Sequence, residues 1–244
     1  MTRSPVNRRD PSGTRKIENR QIEHQREIIR AYVEAMAETA VGNDPERVAV
    51  LDRLSARMKE DLQDTADRWI TETEDATVRV TDKVLHNLGT GIQLGNVQVP
   101  REEVEMLRLN IRKQFALEGD HVLATVTRCV TEGYQEGLGA DEIKRRIIEE
   151  TPSLESRAET IVRTETMRIA DTVAKARYDA AGCDGYMSFP TDDDRLCLAC
   201  INHATGGSGT ALKVYGLDEP MALPWHPNCR CCRIPHFEGV EVTI

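Results

Sequence analysis

Five of the seven cysteines fall between Cys197 and Cys232, and no other feature limits the possible folds as sharply. The first pair stands in Asp193-Asp194-Arg195-Leu196-Cys197-Leu198-Ala199-Cys200, with two residues between the thiols. One tight turn of that spacing can offer two thiolates to a single ion. The second group is Pro224-Trp225-His226-Pro227-Asn228-Cys229-Arg230-Cys231-Cys232, in which His226 and Cys229 repeat the same spacing. A tight cysteine cluster in a chain with no secretory leader reads as metal ligation rather than as disulfides. The opening stretch, MTRSPVNRRDPSGTRK, is basic and lacks the apolar run of such a leader.

A structural zinc site takes four ligands in a tetrahedron, and five candidates compete for it: Cys197, Cys200, His226, Cys229 and Cys231. Cys197, Cys200 and Cys229 rank first, and the fourth place is open between His226 and Cys231. Cys231 would share a strand face with Cys229, and Cys232 would point the other way. Cys129 and Cys183 lie in or beside helical stretches and read as small hydrophobes. A glycine-rich, polar segment this short cannot bury enough apolar surface to fold unaided, whereas metal binding can supply about 10 kcal/mol or more. With all four positions filled by protein, no place is left for an activated water, so the ion is structural and the chain is not read as an enzyme.

The rest of the chain is helical in texture. Aromatic residues make up only 4% of the sequence and charged residues 30%, which suits long amphipathic helices better than a thick core. The pattern predicts a basic, disordered arm over residues 1–14, then a helical body over 15–182, then a metal-binding, β-rich module over 183–244. In the body, Ile17, Ile22, Ile28 or Ile29, Val33 and Met36 stripe a first helix. Leu51, Leu54, Met58, Leu62, Thr65, Trp69 and Ile70 stripe a second, from Pro45 to about Glu74. The signal weakens over 75–100, where Gly89, Gly91 and Gly95 interrupt it and Val97–Val99 suggests a short extended piece. Two helices follow, over 101–116 and 118–135, broken near Gly119. A short one comes next, capped by Asp141 and carrying Ile143, Ile147 and Ile148. A long one then runs from Pro152 and Ser153 to Ala181 and stops at Gly182, a glycine placed to end a helix. Tyr186–Phe189 reads as a strand, and the cysteine-rich end as another. No apolar run approaches the about 18 residues that cross a bilayer.

The C-terminal half resembles the phage Mu F-like head morphogenesis proteins, the minor head proteins of tailed viruses. Three elements carry the resemblance in order: Arg163-Thr164-Glu165 on the long helix, then Asp193, Arg195, Cys197 and Cys200, then His226-Pro227-Asn228-Cys229-Arg230-Cys231. The Leu138–Ile143 stretch also looks like the family's lead into that helix. Leu196 stands where the family usually has threonine, and Gly206, Gly207 and Gly209 lengthen the loop after Cys200. The resemblance spans roughly residues 130 to 235. It implies a minor capsid component, made in the host cytoplasm and built into the virion at the portal vertex. Such a protein acts in procapsid assembly or DNA delivery, with the portal protein, the major capsid protein or both as partners. The basic arm, read from its own residues, is either a frayed terminus or a flexible contact to a partner or to the phosphates of packaged DNA. Arg163 or Glu165 would then tie the helix to the metal module through Asp193 or Arg195. The alternative is a zinc-containing DNA-binding or regulatory protein. A net charge of −9 and the acidic residues beside the metal turns oppose it.

Overall fold

A computed structural model describes residues 5–42, 45–95, 97–193, 196–209, 211–240 and 242. The chain is mainly α, with a small three-stranded antiparallel sheet near its end. Its elements are α1 (Arg15–Val41), α2 (Arg47–Asp64), α3 (Ala66–Asn87), α4 (Arg101–Gln135), α5 (Ala140–Glu149), α6 (Thr151–Ala180), β1 (Gly185–Phe189), α7 (Leu198–Thr205), β2 (Val214–Gly216) and β3 (Cys232–His236). No helix among the described residues is long and apolar enough to cross a membrane.

The chain packs as two compact units, and neither is a continuous stretch. One comprises residues 19–68 and 108–162, the other residues 1–18, 69–107 and 163–244. The change of texture at Gly182 is therefore a change from helix to sheet inside one unit, not a boundary between units.

In the all-helical unit Ile22, Ile29, Val33 and Met36 on α1, Met58 and Leu62 on α2, and Ile143 and Ile147 on α5 are buried as the stripes predict, while Leu51 and Leu54 are only partly buried; Ile111, Phe115, Val122 and Val126 supply the buried face of α4. These three- and four-residue steps give each helix one face to bury. Ile148, grouped with Ile143 and Ile147 in the sequence, is exposed instead. Charged pairs join α1 to α6, with Arg26 2.6 Å from Glu159 and Arg30 holding both oxygens of Glu155 at 2.5 and 2.9 Å.

The structure departs from five sequence expectations. The second helix breaks at Thr65, where Gln21 Nε2 donates to the Thr65 hydroxyl (2.7 Å) and Gln25 Nε2 to the Leu62 carbonyl (3.3 Å), giving helix-end groups tertiary partners. The helix then resumes and continues through Asn87, into the stretch expected to be weak. Val97–Val99 forms no strand among the described residues. Gly119 does not break α4: a Cβ there would collide with Lys59 Cγ, so the glycine permits a close approach inside a continuous helix. Gly139, in extended backbone, takes the N-cap position of α5 that Asp141 was expected to fill.

The α/β unit has β1 at the centre of its sheet, between β2 and β3, with Tyr186 opposite Tyr215 on one side and Pro235 on the other. All five β1 residues are buried, as a strand flanked on both edges and covered by helices must be. Val84 and Leu85 of α3, Met167, Ala174 and Tyr178 of α6, and Phe189 and Ile234 of the sheet share one core. The end of α6 is a Schellman closure: Gly182 at φ 70° lets Cys183 N–H reach the Tyr178 carbonyl (3.3 Å) and Gly182 N–H reach that of Asp179 (3.0 Å).

The arm expected to be disordered over residues 1–14 is packed from residue 5 onward. Val6 belongs to the core just described, Pro11 and Ser12 are buried, and the Pro5 carbonyl accepts from Asn87 Nδ2 at 2.9 Å. Composition makes the segment read as disordered, and the packing of Val6 and Pro11 on the core is what it does not register. Residues 1–4 lie outside the described residues.

Candidate metal centre

α7 places the first pair of ligands. Cys197 is its N-cap residue, in extended backbone, and its Sγ accepts from Cys200 N–H at 3.5 Å. A cap sulfur at a helix N-terminus is stabilised as thiolate by that N–H and by the helix dipole. The helix itself was not foreseen; the stretch after Cys200 reads in sequence as a glycine-rich loop, and its glycines serve instead to end α7, with Gly206 in the left-handed region. Cys200, one turn in, is buried.

The second pair sits on a tight turn. Cys229 N–H donates to the His226 carbonyl at 3.1 Å, and Asn228 takes a φ of 63°, tolerated best by glycine and asparagine. The strand begins only at Cys232, so Cys229 and Cys231 do not share a strand face as expected; the turn alone brings them together. His226 Nδ1 lies 2.7 Å from the Pro227 carbonyl, which can only accept. In the neutral ring Nδ1 therefore carries the proton, and Nε2 presents its lone pair to the cluster.

The donors converge. His226 Nε2 lies 3.3 Å from Cys197 Sγ and 3.1 Å from Cys200 Sγ, and Cys200 Sγ lies 3.8 Å from Cys229 Sγ. Cys197, Cys200 and His226 form one triad of donor atoms, and Cys200, Cys229 and Cys231 a second, each with all separations within 4.8 Å. Bond lengths of about 2.3 Å to sulfur and about 2.0–2.1 Å to nitrogen give tetrahedral edges of about 3.8 and 3.6 Å, close to the three separations just given; the two triads share only Cys200, so an ion with four ligands has to draw them closer together. All five sequence candidates are thus in place, and Cys200 belongs to both triads. Cys232 joins neither. It is buried away from them, and that burial pushes its thiol up, as it does for Cys129 and for Cys183, the latter to about 11.

Without a cation the clustered thiols compete for protons. Hydrogen bonds from Cys200 and Cys231 pull the Cys229 thiol well down, while contact with Cys229 raises Cys200, and contact with Cys200 and Cys229 raises Cys231. The Cys200 N–H lowers Cys197, and the Pro227 carbonyl raises His226. A divalent ion can replace the shared protons and leave several thiolates side by side.

The motif residues outside the ligand set surround this centre. Thr164 Oγ1 accepts from Asn228 N–H at 3.1 Å, so α6 holds the second ligand turn directly. Arg230, between two of the cysteines, reaches Asp193 at 2.6 Å and Glu18 at 3.4 Å, and Glu18 also takes Arg163 at 3.3 Å. Arg163 is therefore linked to Asp193 through Glu18 and Arg230. Glu165 pairs with Arg168 on its own helix, and Arg195 lies outside the described residues.

Glu18 and a second buried pair escaped sequence reasoning. Glu18 is 3% exposed, yet in sequence it is one acidic residue in the first turn of a helix. Arg233, 4% exposed, grips both oxygens of Asp171 at 2.8 and 3.0 Å and donates to the Met221 carbonyl at 2.6 Å. The Trp225 ring stacks on His203 at 4.1 Å and donates to Ser188 Oγ at 3.1 Å, fixing the backbone next to His226.

Comparison of the chain with protein-family models, with curated proteins and with solved structures returned no match. The resemblance to the Mu F-like proteins accordingly rests on the three motifs themselves.

Proposed function

We propose that this chain is a minor head protein of a tailed virus, which works at the portal vertex in head assembly or DNA delivery and whose C-terminal turns are held by one structural zinc ion. The observation that supports this reading best is the grouping of its motifs. Arg163-Thr164, Asp193, Cys197–Cys200 and His226–Cys231, spread over nearly seventy residues, share one packed neighbourhood around a single set of soft donors. Thiolate and imidazole ligands suit zinc, and an ion bound to four of them has no open position for chemistry.

The chain's own residues do the rest of the work. Thr164 fixes the second ligand turn to α6, Pro227 sets the histidine tautomer, and the α7 N-terminus holds Cys197 as thiolate.

Mass spectrometry of purified procapsids and mature particles tests the assignment. The chain is expected in both, at a few copies per particle, with tagged copies confined to one vertex in reconstructions. Its absence from both kinds of particle would overturn the reading.

A further inference from the structure

The N-terminal segment and the metal centre are joined by a continuous set of contacts. Residues 5–14 lie as a strap across α3 and α6. Val6, Pro11 and Ser12 line a small cavity with Val80, Ala170 and Cys232, and Gly13, at φ 70°, passes so near Val80 that a side chain would strike it. Apart from the Asn87 bond to the Pro5 carbonyl, the strap's polar anchors lead to one short stretch. Asp192 N–H donates to the Arg8 carbonyl at 2.8 Å, and the two side chains pair at 3.7 Å. On either side of Asp192, the Thr191 hydroxyl donates to the Arg230 carbonyl at 2.5 Å and Asp193 takes the Arg230 guanidinium. Glu18, just beyond the strap, takes the same guanidinium.

Arg230 is thus the hub, and its backbone lies between two ligand candidates, Cys229 and Cys231. From this we infer that metal loading governs whether the N-terminal strap is seated, with Arg230 as the positioning residue that transmits the state of the centre. This rests on the metal-binding reading above. An ion tying the 226–231 turn to α7 fixes the Arg230 backbone; its side chain then fixes Glu18 and residues 191–193, and these hold Arg8. Without the ion the turn is held by hydrogen bonds alone, the hub loses its fixed origin, and the strap separates from the apolar groove beneath it. Arg8 and Arg9 are exposed even when the strap is seated, so the motion required to present them to a protease is local. Linkage makes the coupling reciprocal: whatever the ion contributes to seating the strap, the strap contributes to holding the ion.

Limited trypsin digestion of the full chain, read by mass spectrometry, tests this with zinc content measured on the same samples. Chelation is expected to speed cleavage after Arg8 or Arg9 by about tenfold, ahead of any change at Arg145 on α5. Arg230→Gln, which keeps all five donors, is expected to retain its zinc and yet lose the strap's protection, while deletion of residues 1–12 weakens zinc binding by a similar factor. Equal strap cleavage in loaded and chelated protein, or full protection in zinc-loaded Arg230→Gln, overturns the coupling while leaving the metal centre intact. Cleavage that rises in step at Arg8, Arg9 and Arg145 is general unfolding and overturns it too. Wild-type protein that binds no zinc at all removes the metal reading itself, an outcome separate from these.

Discussion

Among single residues, Cys200 carries the most because both donor triads need it. Cys200→Ser is expected to weaken zinc binding by more than the about 10–100-fold that outer-shell changes cost, whereas Cys232→Ser leaves zinc content unchanged. Competition with a chromophoric chelator measures both. Two ionisable residues on α4 predict opposite pH behaviour. Burial raises Glu118 above the ordinary carboxyl value of 4.5 despite Arg157 at 3.2 Å, and its Oε1 is buried without a hydrogen bond. A raised folded value favours the fold at low pH, and that contribution is lost as pH rises through it, so ionised Glu118 is a net cost near neutrality. Glu118→Met should therefore stabilise the protein by about 1 kcal/mol at about pH 7 and by less towards about pH 4, read from denaturant melts. His121 is lowered from 6.5 by burial and then by Arg157 and Arg128. A depressed folded value gives stability above 6.5 that is lost as pH falls below it, and His121→Gln should flatten that loss.

At the scale of elements, two glycines of α4 predict opposite signs. A Cβ on Gly133 would lie 2.6 Å from Ile143 Cγ1, a branched side chain that is itself buried, so Gly133→Ala should cost about 1–3 kcal/mol through overpacking. The obstacle at Gly119 is the flexible stem of Lys59, which can swing aside. There the gain in helix propensity, up to about 1 kcal/mol, should prevail, and Gly119→Ala should raise the melting temperature. In sequence Gly119 reads as a helix break and Gly133 lies inside a helical stretch, yet both sit within one continuous α4. Only the neighbour across the helix interface separates them.

For the whole molecule, the division into two units makes the effect of metal removal local. Zinc at about 1,000 times its dissociation constant stabilises whatever binds it by about 4 kcal/mol. Chelation should therefore raise amide exchange in β1, β3 and α7, while α2 and α5, which belong wholly to the other unit, keep their protection. Uniform loss of protection along the chain would show that the units do not respond separately.

Periodicity and spacing were enough to read the mainly helical fold class, the end of α6 at Gly182, the first strand and the cysteines and histidine that the fold gathers. These are local quantities: a stripe of apolar side chains or a pair of thiols two residues apart works through neighbours a few positions away. What the tertiary structure alone decided is whatever depends on a partner far along the chain. Glu18 became buried because Arg163 and Arg230, 145 and 212 residues away, meet over it. Residues 5–14 became ordered because a groove of α3 and α6 accepts Val6 and Pro11. Burial, ion pairing and close approach are properties of pairs of residues, and pairs separated by a hundred positions leave no mark on the sequence between them.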